Sequence, residues 1–258
     1  VIENFGGRLR LLITGASALD PRVAEDFINM GIDIYIGYGL TECAPLVACN
    51  NDRLMLPDSI GTPMPGAEVA IYNPDALGVG EIWVRGPMVM NGYYKNPEAT
   101  ADVITPDGWF RTGDLGTCDR NNCYRLTGRS KNVIVTKNGK NIFPEEVELY
   151  LNTCPVVDES IVFGDDVDDE TLVCAAIYPN MENLQDMFKK EDVTKEEIQK
   201  TIHDVVREVN KKLPKYKKIR NYYISDEEFI KTTTKKIKRQ INIDKIKEKR
   251  NLSIDSEE

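Results

Sequence analysis

Residues 8–39 read RLRLLITGASALDPRVAEDFINMGIDIYIGYG, and this stretch decides the fold of the first part of the chain. Two largely apolar segments, residues 8–14 and 32–38, have the composition of buried strands. Between them, Asp20 is a favourable N-cap for a helix and Gly31 is a typical residue to end one. A strand, a crossover helix and a second strand form a βαβ unit, which predicts a parallel sheet.

Ligands of parallel sheets bind at the carboxyl ends of the strands. The candidates at these ends are Gly15, Ala16 and Ser17 after the first strand, and Tyr38 and Gly39 at the second. The ring of Tyr38 can stack on a flat ligand. Thr41 and Glu42 follow, and a hydroxyl beside a carboxylate suits a phosphate and its hard cation. A tight turn with a capping threonine explains the same residues without any ligand.

Residues 57–128 contain short alternating stretches between prolines and glycines, which predict a small antiparallel β region. Asp114 lies between glycines at the end of a predicted strand, where a carboxylate can accept hydrogen bonds from both hydroxyls of a ribose. A β-turn is the alternative, because Asp and Gly are common in turns for local reasons. Arg129 follows, and its planar guanidinium suits a phosphate.

After Gly128 the pattern changes to that of a compact α+β unit. A capping box, Thr194 to Glu197, begins a long helix with one apolar face. The predicted strands of this unit are residues 132–135, 160–163, 172–178 and 218–224, and its other predicted helix begins at Pro144. The sequence therefore predicts a first domain over residues 1–130 and a second over residues 131–258.

Composition narrows the classes of function. The chain has 258 residues, a net charge of −9, six cysteines without a CxxC pair, and one histidine, which argues against a zinc site. In a chain of this length, this cysteine usage fits a reducing compartment better than a disulfide scaffold, which favours a cytoplasmic location. No apolar run approaches the roughly 20 residues that a membrane span needs.

Charge is distributed unevenly along the chain. Residues 214–250 contain 13 Lys and Arg against 5 Asp and Glu, a net charge of +8, so the remaining residues carry −17. This asymmetry predicts that the basic segment meets an anionic partner. A solvated lysine-rich surface is the alternative. Nucleic acid is disfavoured as the partner, because base-stacking surfaces interleave aromatic residues and residues 231–250 contain none.

Taken together, the ordered motifs resemble those of the AMP-forming adenylating enzymes, the acyl-CoA synthetase superfamily. The resemblance is to the C-terminal half of bacterial long-chain fatty acid–CoA ligases, and it covers nearly the whole chain. The matching segments are residues 37–42, 107–116, 128–131, 137–148 and 231–239. It implies the remainder of a large α/β ligase domain, with a parallel βαβ unit and a small antiparallel region, followed by a small α+β lid.

The resemblance also implies a chemistry and a set of roles. In this family a fatty acid attacks ATP to give an acyl-adenylate, and the thiol of coenzyme A then displaces AMP. Asp114 would bind the ribose hydroxyls, Thr41 would contact the α-phosphate and Glu42 would hold Mg²⁺. The remaining roles implied are the adenine border for Gly15, Ala16, Ser17 and Tyr38, nucleotide binding for Gly39, the ribose or phosphate for Arg129, the hinge for Lys131, the path of the CoA thiol arm for Gly139, and the lid lysine for Lys236.

Two features depart from the family pattern. Ile230 and Lys235 replace the usual proline and glycine of the lysine motif, so that Lys235 competes with Lys236 for the role of lid lysine. The Ser/Thr/Gly-rich phosphate loop of the family is absent from these residues. Together with a sequence that starts at Val1 and reaches a strand by residue 8, this predicts a fragment that lacks the N-terminal part of its large domain and is inactive alone.

Alternative functions remain open at this stage. Acyl carrier protein can replace CoA as the acceptor, or the chain can belong to another adenylating enzyme. From a different class, it can be a non-catalytic module whose basic segment binds anions or the surface of a membrane, with peripheral membrane contact. A stand-alone nucleotide-binding protein is a further alternative.

Overall fold

The computed structural model describes residues 2–15, 19–167 and 170–254. The chain divides into two compact units, residues 1–131 and 132–258, one residue beyond the predicted boundary. The elements of the first unit are β1 Leu11–Thr14, α1 Pro21–Asn29, β2 Asp33–Gly39, β3 Leu46–Cys49, β4 Thr62–Pro63, β5 Glu68–Tyr72, β6 Gly80–Arg85, α2 Pro97–Val103, β7 Phe110–Cys118 and β8 Tyr124–Arg129.

The parallel βαβ unit predicted for the start of the chain is present. β1 and β2 pair in parallel, with Leu11 opposite Asp33, and α1 crosses between them. The carboxylate of Asp20 caps α1 by accepting a hydrogen bond from the amide of Arg22 at 2.9 Å. β2 also pairs antiparallel with β3, and β3 with β4, so that β2 lies inside a four-stranded sheet.

The predicted antiparallel region is a second four-stranded sheet, in the order β5-β6-β7-β8. An isolated bridge between Gly61 and Tyr124 joins it to the residue just before β4 of the first sheet. The two sheets share one core, which combines Ile34 and Ile36 of β2 with Ile82 and Val84 of β6. This shared core brings the end of β2 close to β7.

The second unit contains β9 Ile134–Val135, β10 Asn141–Ile142, α3 Pro144–Asn152, β11 Val157–Val167, β12 Glu170–Pro179, α4 Met181–Phe188, α5 Lys195–Lys212, β13 Asn221–Ile224 and α6 Arg239–Ile254. β12 is the centre of a three-stranded sheet, antiparallel to β11 and parallel to β13. β9 and β10 form a separate hairpin. None of the helices in the described ranges is both long and apolar enough to cross a membrane.

Alternation along β11 and β12 gives the sheet of the second unit two apolar faces. One face, with Val162 and Ala175, packs against α3 and α5. The other, with Phe163 and Cys174, packs against Phe229 and against Ile243 and Ile246 of α6. The sheet is therefore covered by helices on both sides.

Two predicted strands begin later than expected, and two helices were not predicted. The strand predicted at residues 132–135 is only Ile134–Val135, because Ser130–Asn132 form a 3-10 turn. The strand predicted at residues 218–224 begins at Asn221, since the side chain of Asn210 binds both backbone polar groups of Ile219. Helices α4 and α6 were not predicted. The charged, β-branched sequence of α6 gives a weak helical pattern, and packing of Ile243 and Ile246 on the sheet stabilises the helix.

Candidate active site

Tyr38 and Asp114 meet inside the first unit. The hydroxyl of Tyr38, near the end of β2, donates to Oδ2 of Asp114 at 2.7 Å, and both side chains are buried. Burial and then the charge of Asp114 raise the pKa of the Tyr38 phenol, which therefore stays protonated and donates. Two residues that the sequence assigned separately to a ligand, 76 positions apart, form one hydrogen-bonded pair.

Arg129 approaches the same carboxylate from the neighbouring strand. β7 and β8 pair with Asp114 directly opposite Arg129, and Nε of Arg129 lies 2.9 Å from Oδ1 of Asp114. The Arg129 side chain is 55% exposed, whereas that of Asp114 is 8% exposed. A ribose that reaches Asp114 would therefore have to share the carboxylate with the exposed arginine head group or displace it, while Tyr38 stays in place.

The turn after β2 depends on close approach of the backbone. A Cβ atom at Gly39 would lie 1.7 Å from the carbonyl oxygen of Pro45, which accepts a hydrogen bond from Leu40. Only glycine fits at this position. Thr41 and Glu42 follow in a short 3-10 turn, with Thr41 exposed and Glu42 half-buried. The predicted tight turn is therefore present, and it presents both side chains next to the Tyr38 strand end. The capping role of Thr41 was wrong, because the N-cap residue is Leu40 and no side chain caps the turn.

Glu42 has a partner that the sequence analysis missed. The hydroxyl of Tyr93 donates to Oε1 of Glu42 at 3.0 Å, and the amide of Met90 donates to the Glu42 carbonyl oxygen. Burial and the bond to Glu42 raise the pKa of Tyr93. The adjacent aromatic residues Tyr93 and Tyr94 are the one signal in the sequence for this contact. Tyr93 orients the carboxylate predicted to hold the metal.

The donor set at Glu42 fits Mg²⁺ only in part. Mg²⁺ is commonly held by one or two carboxylates together with substrate phosphates and water. Within the described ranges, no group of three or more His, Cys, Asp or Glu side chains is placed to hold a metal ion by itself. A Mg²⁺ ion beside Glu42 would take its remaining ligands from phosphate oxygens and water.

The predicted adenine border is described only in part. Gly15 follows β1, and a Cβ atom at that position would lie 3.1 Å from the carbonyl oxygen of Gly37 in β2. The ends of the two parallel strands are therefore adjacent, as the βαβ unit requires. Ala16 and Ser17 lie outside the described residues. The roles assigned to these residues stay predictions.

In the second unit, Lys236 lies in a tight hairpin. Lys231 bridges to Ile237, and the amide of Thr232 donates to the carbonyl oxygen of Lys236 at 2.8 Å. The amide of Lys236 in turn donates to Oγ1 of Thr232 at 3.1 Å. Lys235 occupies the left-handed region with φ of +59°, and both lysines are exposed. The lysine that replaces the family glycine thus adopts the backbone conformation that favours glycine.

Buried polar contacts fix the base of this hairpin. The side chain of Asn242, 4% exposed, bonds the amide and the carbonyl oxygen of Ile230. Nζ of Lys231 pairs with Glu159 and Glu228, which raise its pKa. Nη1 of Arg239 lies 2.6 Å from Oε1 of the buried Glu148, whose pKa burial nevertheless raises. Side chains from β11, α3 and α6 therefore take part in holding the base of the hairpin.

The other two predicted residues of the lid lie in short turns. Lys131 is the last residue of the first unit and belongs to the 3-10 turn Ser130–Asn132. Gly139, with φ of +69°, lies at the turn of the β9–β10 hairpin, where its amide donates to the carbonyl oxygen of Thr136. Asn-Gly dipeptides such as Asn138–Gly139 are typical of such turns. The roles of Lys131 and Gly139 stay predictions.

Comparison with protein families accounts for both units. Residues 2–94 match the model of the AMP-binding enzyme, and residues 131–249 match that of the AMP-binding enzyme C-terminal domain. The chain belongs to the AMP-binding enzyme family. This confirms the membership in the acyl-CoA synthetase superfamily that the sequence motifs predicted.

Relatives in the family include curated fatty acid ligases. The long-chain-fatty-acid–CoA ligase FadD15 of Mycobacterium bovis is 37% identical over 161 residues, which are 62% of this chain and 26% of that protein. The long-chain-fatty-acid–[acyl-carrier-protein] ligase AEE15 of Arabidopsis thaliana is 35% identical over 189 residues, 67% of this chain and 26% of that protein. The chain thus spans about a quarter of the length of these relatives.

The fold agrees with solved structures of the family. ATP-bound MatB from Rhodopseudomonas palustris is 25% identical and superposes with a TM-score of 0.71, over 92% of this chain and 46% of that chain. The predicted fold class, a mixed α/β arrangement of several sheets, is confirmed. The chain spans about half the length of this structure.

Proposed function

We propose that the chain supplies one edge of the nucleotide site, together with the lysine-bearing lid, of an ATP-dependent long-chain fatty acid–CoA ligase. The observation that carries the proposal is the Tyr38–Asp114–Arg129 cluster at the carboxyl end of a parallel strand. A buried carboxylate with a fixed hydroxyl donor on one oxygen and a displaceable arginine on the other suits a ribose. Relatives named as fatty acid ligases support the substrate class.

The proposed reaction has two steps. The carboxylate of the fatty acid attacks the α-phosphorus of ATP, and pyrophosphate leaves with the acyl-adenylate formed. The thiol sulfur of CoA then attacks the acyl carbon, a proton is lost from the thiol, and AMP leaves. A carboxylate is already an adequate nucleophile at neutral pH, so the first step needs positioning and neutralisation of charge rather than a general base.

The residues of this chain would supply that positioning. Asp114 would hold the ribose, and the Thr41 hydroxyl would contact the α-phosphate. Glu42, oriented by Tyr93, would hold Mg²⁺, which neutralises phosphate charge when it is bound. Lys236, exposed on a hairpin with a fixed base, would bring a positive charge to the phosphate during the first step.

The nucleotide site can be tested on the chain itself. We expect AMP to bind in isothermal titration calorimetry and the Asp114→Ala variant to lose at least about tenfold in affinity, the cost of one hydrogen bond to a charged group. Asp75→Ala is the matched control, because the Asp75 carboxylate bonds only a local turn in the same unit. Equal binding by Asp114→Ala and the unaltered chain would remove the ribose assignment.

The lid lysine needs the full-length ligase for its test. We expect acid-dependent AMP release to fall at least about a hundredfold in Lys236→Ala, because one charge contact to a transition state contributes several kcal/mol. Lys235→Ala is the matched control and should keep most of the rate. If Lys235→Ala lost the activity and Lys236→Ala kept it, the adjacent lysine would be the functional one.

We further propose that residues 1–258 alone form no acyl-adenylate. No stretch of this sequence resembles the Ser/Thr/Gly-rich phosphate loop of the family, whose backbone amides would hold the outer phosphates. We expect no ATP–pyrophosphate exchange by the chain with palmitate. Exchange above the rate of Lys236→Ala in the same chain would overturn this proposal.

Acyl carrier protein is the second candidate acceptor. The Arabidopsis relative that is 35% identical to this chain is named as an acyl-carrier-protein ligase. The two acceptors can be compared in the full-length protein by mass spectrometry of acyl-CoA and acyl carrier protein formed from the same acyl-adenylate. Product on the carrier protein alone would replace CoA in the proposal.

A further inference from the structure

The strand that carries Asp114 is irregular just before that residue. Opposite β6, Glu81 pairs with Leu115 and Trp83 pairs with Arg111. The three residues from Thr112 to Asp114 therefore face the single residue Ile82 and form a bulge. Gly113 has a φ of +71° at its centre. Bulges of this kind aim a side chain that a regular strand would place elsewhere.

The inner side of the bulge is held by Thr112. Its hydroxyl donates to the carbonyl oxygen of Ile82 at 2.6 Å and accepts from the amide of Asp114 at 3.0 Å. The contact is buried. The N–H group of Asp114 is therefore fixed by Thr112. The N–H group of Gly113, one residue earlier, is not held by the regular hydrogen-bond ladder between β6 and β7.

The outer side of the bulge is held by Glu81. Its Oε1 accepts from the amide of Gly113 at 2.9 Å, and its Oε2 accepts from Nε1 of Trp83 at 2.9 Å. Trp83 in turn stacks on Tyr72 with ring centroids 3.8 Å apart, and the guanidinium of Arg111 lies over its ring. The carboxylate of Glu81 is therefore itself fixed in position.

We propose that Glu81 is a positioning residue for nucleotide binding, which acts on Asp114 through the Gly113 peptide. A rotation of that peptide would move Asp114 away from Tyr38 and Arg129. Glu81 opposes the rotation by accepting the Gly113 N–H, so the carboxylate that meets the ribose is aimed before the ligand arrives. This role rests on the proposed nucleotide site at Asp114.

Three variants of the chain test the role by AMP titration calorimetry. We expect Glu81→Ala to weaken AMP binding about tenfold, the loss of one hydrogen bond to a charged acceptor. Glu81→Gln should stay within about threefold, because its amide oxygen can still accept from Gly113. Glu68→Ala is the control. Glu68 lies on β5, two strands away from β7, where its carboxylate pairs with Arg85 and holds no backbone group.

Amide hydrogen exchange of Gly113 gives a second measurement that needs no ligand. Exchange at Gly113 should be at least about tenfold faster in Glu81→Ala and unchanged in Glu68→Ala, with the other β7 amides still protected. Unchanged exchange at Gly113 would overturn the proposal even if AMP failed to bind to the unaltered chain. If the chain bound AMP, Asp114→Ala abolished binding and Glu81→Ala kept the full affinity, the positioning role would be wrong while the nucleotide site stood.

Discussion

Asp114 illustrates how one carboxylate can be both fixed and available. Its Oδ2 accepts from a buried tyrosine and its Oδ1 meets an arginine that is more than half exposed. A buried hydrogen bond to a charged group is costly to break, whereas an exposed ion pair contributes little. Ligand exchange at Asp114 should therefore occur on the Arg129 side.

The Tyr38 hydroxyl is expected to stabilise the first unit. Tyr38→Phe should lower the free energy of unfolding by about 2 kcal/mol, because Asp114 loses a buried donor. Since the pKa of folded Tyr38 is raised above its ordinary value of 10.0, the unfolded phenol ionises first as the pH rises. The stability difference between the two proteins should therefore be full below pH 10 and shrink by about 1.4 kcal/mol per pH unit above it.

Urea unfolding followed by tryptophan fluorescence measures this effect, because both tryptophans, Trp83 and Trp109, lie in the first unit. Tyr94→Phe is the control, since Tyr94 is 87% exposed. An equal loss in the two variants, or a difference that persists unchanged above pH 10, would contradict the assignment.

For single residues, the sequence predicted which side chains belong to the site better than it predicted the contacts between them. Tyr38 and Asp114 were recognised because each lies beside glycines at a predicted strand end. The strand end was wrong for Asp114, which lies inside β7 because the strand continues past its bulge to Cys118. The bond between Tyr38 and Asp114 was not predictable, since it depends on two sheets sharing a core. Tyr93 and Glu81 were missed for the same reason, because each acts on a residue at least 30 positions away through folding of the sheet.

At the scale of elements, the lysine hairpin has a strained turn. Lys235 has φ of +59°, where a side chain other than glycine is unfavourable. Lys235→Gly should stabilise the second unit by about 0.5–1 kcal/mol, the relief of strain less the added entropy of the unfolded chain. Far-UV circular dichroism during urea unfolding is the measurement. Thr233→Gly, at a turn position with negative φ, should instead destabilise, and the same sign in both variants would count against the strain.

Asn242 links this hairpin to α6. Its side chain bonds the amide and carbonyl oxygen of Ile230 and the carbonyl oxygen of Lys238. Asn242→Ala should cost about 2 kcal/mol, because the Ile230 amide is left without its acceptor. The Ile230 carbonyl oxygen keeps the amide of Lys238 as a donor.

The exposed Gln240 on the same helix provides the control for this variant, since it contacts only Asp244. Gln240→Ala should change stability by less than about 0.5 kcal/mol. If Asn242→Ala were as stable as Gln240→Ala in the circular dichroism measurement, the hydrogen bonds between Asn242 and Ile230 would not stabilise the second unit.

Some helices have strong local signals in the sequence, and others do not. The capping box at Thr194 and the Pro144 helix start were predicted and are present, because caps act within one turn. The role of α6 was not predicted, because its charge dominates its composition. Its Ile243 and Ile246 side chains become an apolar face only when the sheet is there to meet them.

At the scale of the whole molecule, the two units have separate cores. Every residue of the two clusters in the second unit lies after residue 131, and every residue of the first cluster lies before it. Charge follows the same division, since the basic segment of residues 214–250 belongs to the second unit alone. In the sequence, the change of pattern after Gly128 is the feature that predicts a boundary near residue 130.

Separate cores predict that residues 132–258 fold without the rest of the chain. A domain with its own core, covered on both faces of its sheet by helices, meets the usual condition for independent folding. We expect the isolated segment to give one cooperative urea transition by circular dichroism and a dispersed amide NMR spectrum. Ile202→Asp, which puts a charge in the fully buried core, should abolish both, and Glu196→Ala on the exposed first turn should abolish neither.

Independent folding of residues 132–258 is a requirement of the proposed lid. A lid that carries Lys236 toward and away from a phosphate must keep its internal geometry while it moves, and a unit that folds alone can move as a rigid body. If the isolated segment stayed unfolded, the hairpin geometry would depend on the first unit, and Lys236 could not be delivered by rigid rotation. The Asn242→Ala variant of the same segment then distinguishes folding of the core from ordering of the hairpin. It should loosen the hairpin while the unfolding transition of the core remains cooperative.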